Sequence, residues 1–161
     1  MSNSFWDYSL MAYAAPGVAG ACLQAQDRFG LDVNLLLYAA WLADVGKPLQ
    51  ADHLASMEEA IVQWRRRAVL PLRRLRRDLK ALEDAAALRD QVKALELAAE
   101  RHQQMLMWRI HGEAEIPGGG ASLRDNLATV FAASKAVDAS AQSCLATLME
   151  ALQGVAEGTA Q

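Results

Sequence analysis

Glu96 and Glu100 stand four residues apart in the run ELAAERH, with Arg101 and His102 directly after them. On a helix this spacing brings two carboxylates to one face, where they could hold a metal ion or work as an acid and base. The favoured reading is simpler: a solvated or salt-bridged face, with Arg89 and Lys93 within helical reach. Other constellations are missing. His53, His102 and His111 are the three histidines, and none lies three residues after a glutamate, so a Glu-x-x-His dimetal site is excluded. HExxH, a Walker loop and GxSxG are absent, and two isolated cysteines make no zinc pattern. Gly118-Gly119-Gly120 lacks the lysine and the preceding strand of a phosphate loop and reads as a linker. No catalytic residue, metal or cofactor is expected, and the chain leans towards a non-enzymatic role.

The strongest charge signal lies elsewhere. Between residues 65 and 80 stand Arg65, Arg66, Arg67, Arg73, Arg74, Arg76, Arg77 and Lys80, against a single acid, Asp78. These are half of the 16 Lys and Arg residues, so the segment carries +7 and leaves -10 for the rest of a chain that totals -3. Arginine is the side chain that grips carboxylate and phosphate with two parallel hydrogen bonds. Three readings stay open. The cluster pairs internally with the acidic remainder; it binds an acidic protein or phosphate-bearing partner, nucleic acid included; or it lies on a membrane surface. Leu72, Leu75 and Leu79 read as a stripe docked in the core, which leaves little apolar surface for lipid. Trp64 is the one nearby aromatic that could stack a base, so nucleic acid is the weaker partner.

A second candidate site gathers polar residues in an apolar neighbourhood: Trp6, Gln26, Asp27, Asp32 and Asn34, joined by Glu96 and Glu100. Buried polar groups need partners. Asp32 is accounted for as a helix cap. Gln26, Asp27 and Asn34 either line a small pocket between the second and third helices, as the alternative function of a small-molecule-binding enzyme or sensor would need, or tie the turn together, and the latter is favoured.

These side chains must be held by helices. Alanine is abundant, while the β-branched and aromatic residues that favour strands are scarce. No segment alternates with period two. The pattern predicts an all-α, irregular bundle of about six or seven helices in a single 161-residue domain. A first helix spans Phe5 to Tyr13 with Ser4 as cap. Pro16 opens a second, with Val18, Ala21, Cys22, Ala25 and Phe29 as its buried stripe and Gly30 as its stop. Asp32 caps a third, Val33 to Val45, apolar nearly all round and therefore central. A fourth starts near Asp52, and Pro71 interrupts or kinks the helical stretch beyond it. Leu88, Val92, Leu95, Ala99, Leu106 and Ile110 mark a long helix after a register slip near Asp84. Gly112–Ala121 reads as a flexible loop. Ser122 caps a final helical region that either bends near residues 134–140 or spans the whole bundle, with a frayed tail after Gly154.

The N-terminal run MSNSFWDYSL has no basic region and no small-residue cleavage site, and the longest apolar run, Leu35–Ala43, is far short of the ~20 residues of a bilayer span. Cytoplasm is the expected compartment, with Cys22 and Cys144 as free buried thiols.

The run from Phe5 to Leu37, FWDYSLMAYAAPGVAGACLQAQDRFGLDVNLLL, resembles a proteobacterial family of conserved hypothetical proteins classed as a domain of unknown function. The segments Trp64–Lys80 and Glu96–Arg101 are similar to it as well. The likeness extends over most of the chain up to the glycine loop. It implies a family and assigns no catalytic or binding residue.

Overall fold

The computed structural model describes residues 3–158. Among them are eight α-helices and no strand: α1 (Ser4–Ala14), α2 (Val18–Phe29), α3 (Val33–Asp44), α4 (Ala51–Trp64), α5 (Leu70–Leu79), α6 (Ala86–Glu113), α7 (Leu123–Ala133) and α8 (Ala139–Gly158). A π-helical turn, Arg65–Val69, joins α4 to α5 without a break, so that α4, the turn and α5 can be counted as one interrupted rod. A 3-10 turn at Glu83–Ala85 precedes α6. The chain is all-α. It divides into two compact units: the first runs up to Leu54 and resumes from Ala114 onward, and the second is Ala55–Glu113.

The first unit is built on α3, packed by α1, α2 and α7. Every residue from Asn34 to Leu42 is buried, as its nearly continuous apolar sequence requires. Phe5 of α1 meets Tyr38 edge-on at 5.3 Å between ring centroids, and Trp41 lies 5.8 Å from Tyr38. Such offset and edge-on contacts add to the area these rings bury. α2 packs along α8. Asp32 caps α3, accepting hydrogen bonds from the Asn34 and Leu35 amides at 2.8 and 3.3 Å.

Two helix starts differ from expectation. Asn3, not Ser4, caps α1, accepting from the Trp6 amide at 3.0 Å. α2 begins at Val18 after Gly17 at φ 82°, a left-handed entry that glycine takes without strain, and Pro16 is left in the turn before it. The long C-terminal run takes the bend that the sequence allows near residues 134–140: Lys135 takes φ 58°, and Asp138 caps α8 through the Ala141 amide at 2.8 Å. α8 continues past Gly154 to Gly158, and the end of the tail expected to fray lies outside the described residues.

The second unit is a hairpin in which α5 and the π turn pack on α6. Pro71 has no N–H and would crowd the carbonyl four residues back in a regular helix. The π turn resolves the conflict by moving the hydrogen bonding out of step, with the Leu70 N–H donating to the Arg65 carbonyl five residues back. Leu79 is buried, but Leu75 is 45% exposed, so the expected docked leucine stripe is only partly inside. α6 departs further from its apolar pattern. Its buried face is Val92, Glu96, Ala99, Gln103, Gln104 and Met107, while Leu88 and Leu95 are exposed.

Candidate arginine-helix interaction surface

Glu96 is the buried carboxylate of the second unit, with its side chain 8% exposed. Two arginines from α5 reach it. Arg73 Nε donates to Glu96 Oε1 at 3.1 Å, and Arg73 Nη2 donates to Glu100 Oε1 at 2.8 Å, so one guanidinium clamps both glutamates. Arg76 donates from Nε to Glu96 Oε2 and from Nη2 to Glu96 Oε1. Burial alone would raise the Glu96 pKa. The hydrogen bonds and charges of Arg76 and Arg73 outweigh it and hold the carboxyl below its usual range. Glu96 and Glu100 are therefore salt-bridged, as favoured from sequence, but across two helices and not to Arg89 or Lys93.

The arginines thus separate into two tiers by the pitch of α5. Arg73 and Arg76 fall on the side that faces α6. Arg66, Arg67, Arg74, Arg77 and Lys80 are exposed, and Arg65 is half-buried in the π turn. Arg66, Arg67, Arg74 and Lys80 make no ion pair within the described residues. Arg66 and Arg74 line a groove of about 450 Å³ with Leu70, Pro71, Leu75 and Asp78. Trp64 at the head of the π turn is engaged elsewhere: its indole N–H donates to the Ala99 carbonyl at 2.8 Å, and its ring lies 4.2 Å from the His102 ring.

The second set of candidates is divided. Trp6, Gln26, Asp27, Asp32 and Asn34 belong to the first unit, Glu96 and Glu100 to the second. Asp32 and Asn34 are buried and brought together by the cap, whereas Gln26 and Asp27 are more open. Glu96 and Glu100 are occupied by arginine.

The structure adds polar residues that local patterning did not single out. Asn126 of α7, 2% exposed, accepts from the Leu49 amide at 2.8 Å and donates to the carbonyls of Ala39 and Lys47 at 3.2 and 3.0 Å. Its signal was available: three residues after Leu123 and four before Val130, it lies on the buried stripe. His53 Nε2 and the Tyr38 hydroxyl share a hydrogen bond of 2.8 Å, and burial lowers the His53 pKa. Cys22 and Cys144 are free and buried, and burial pushes the Cys22 thiol up to about 12, far from nucleophilic use.

Among the described residues no group of His, Cys, Asp and Glu is arranged to hold a metal ion, and no helix is long and apolar enough to cross a membrane. No curated protein and no solved structure matches the chain. Residues 4–107, from α1 to most of α6, match the model of DUF2390, a protein family of unknown function, and the chain belongs to that family.

Proposed function

We propose that this protein is a non-enzymatic, cytoplasmic helical interaction module whose arginine-rich helix contacts an acidic partner or a phosphate-bearing ligand. The observation that carries the reading is the division of the arginines. Arg73 and Arg76 neutralise Glu96 and Glu100, so their role is internal. Arg66, Arg67, Arg74 and Lys80 are exposed and without an ion pair among the described residues, which leaves a cluster of cations turned to solvent. Solvated like charges held on one short segment repel one another, and an anionic partner relieves that repulsion. A nucleic-acid partner is the weaker alternative, because the nearby Trp64 already donates to the Ala99 carbonyl and lies against the His102 ring.

The test is affinity capture from the native cell with wild-type protein beside a variant carrying Arg66→Gln, Arg67→Gln and Arg74→Gln. The variant is expected to lose a partner that the wild type retains, and that partner's retention is expected to fall steeply with salt. An identical partner set for both proteins would exclude the proposal.

A further inference from the structure

The groove beside the arginines is not purely cationic. Arg66 and Arg74 flank Leu70, Pro71 and Leu75, with Asp78 at the far end. Leu70 is 39% and Leu75 45% exposed, so apolar surface is presented to solvent between two cations. A phosphate chain gains nothing from leucine or proline, whereas an apolar side chain on a protein segment does. Arg66 stands in the π turn and Arg74 in α5, eight residues on, so the two are separated by about two helical turns. Two acidic side chains on a partner helix meet that spacing when they are about two turns apart, with an apolar residue between them. From this pattern we infer that the groove binds an amphipathic acidic segment of another protein, laid along α5 with its carboxylates on Arg66 and Arg74 and its apolar residue against Leu70 and Leu75. This rests on the arginine-contact reading above and narrows it to one class of partner.

Fluorescence anisotropy with the full chain tests it. The probes are a labelled helical peptide with glutamates two turns apart flanking leucine, the same peptide with leucine replaced by serine, polyglutamate, and a single-stranded RNA oligomer. The leucine peptide is expected to bind at least about fivefold more tightly than the serine peptide, the factor expected for covering partly exposed leucines. L70S/L75S, altered only at exposed positions and checked for unchanged helicity by circular dichroism, is expected to erase that difference while keeping binding to polyglutamate. R66Q/R74Q is expected to lose both. Equal binding of the leucine and serine peptides, no binding of either, or tighter binding of RNA that ignores L70S/L75S each overturns the inference. Retained polyglutamate or RNA binding in those cases leaves the broader arginine-contact reading standing, and failure of every anionic probe removes both.

Discussion

In the first unit, Phe5, Tyr38 and Trp41 are buried against one another, and polar side chains such as Asp32, Asn126 and Asp138 serve backbone groups at helix ends and turns. In the second, Glu96 is buried under two arginines and Gln103 and Gln104 are inside, while Leu70, Leu75, Leu82, Leu88, Leu95, Leu97 and Met105 are exposed. Both units leave large apolar side chains exposed, Leu10, Leu23 and Val137 in the first among them. The second differs in tying its own hairpin with a buried carboxylate clamped by two arginines, while further arginines stand outside.

The contrast can be broken at its strongest point in the first unit. Asn126→Ala leaves the buried Leu49 amide and two carbonyls without their partner, and is expected to cost about 3 kcal/mol in urea denaturation. A loss below about 1 kcal/mol would show that water or repacking replaces the amide.

Glu96→Gln strikes the matching point in the second unit. It strips the charge from a buried clamp and leaves Arg73 and Arg76 with weaker acceptors, for an expected loss of about 2 kcal/mol. The sign with pH comes from its lowered pKa. The folded state binds a proton at Glu96 less readily than the unfolded chain, so the contribution is full at neutral pH and is lost as pH falls through the lowered value. Hydrogen exchange in α5 and α6 is expected to accelerate on acidification in the wild type and to lose that pH dependence in the variant.

Asp32→Ala removes the cap of α3 and is expected to cost about 1 kcal/mol, with faster exchange of the Asn34 and Leu35 amides. His53 gives the smallest effect. Its pKa is lowered by burial, and its Nε2 is hydrogen-bonded to the Tyr38 hydroxyl. Its stabilising contribution is complete above the ordinary histidine value and is lost as pH falls below it. Replacement by glutamine should flatten stability across that range, and an NMR titration showing a raised histidine pKa would contradict the assignment.

The fold was readable where one local rule decides. Asp32 before an apolar run, and Gly30 after one, marked helix ends that the structure keeps. What escaped the sequence were pairings between distant residues. Glu96 has Arg89 and Lys93 nearby in sequence, but its partners are Arg73 and Arg76, 23 and 20 residues away. Apolar periodicity placed Val92 and Ala99 on the inner face of α6 but missed the rest of it, because Glu96, Gln103 and Gln104 occupy positions a hydrophobic stripe would assign to leucine. Pro71 announced a disturbance, yet whether a chain answers proline with a break, a kink or a π turn depends on the packing of the helix it is docked on. The arginine cluster was visible at once, and its division into two tiers emerged only when the phase of α5 against α6 was known.

Binding isotherms on polyglutamate test this division of the arginines. Two variants are compared with the wild type under conditions where all are equally helical: R66Q/R67Q/R74Q and R73Q/R76Q. The outer triple is expected to lose at least about tenfold in affinity with a flattened salt dependence, and the inner pair to bind with near wild-type affinity. Equal losses in both, or a loss confined to the inner pair, would contradict that division.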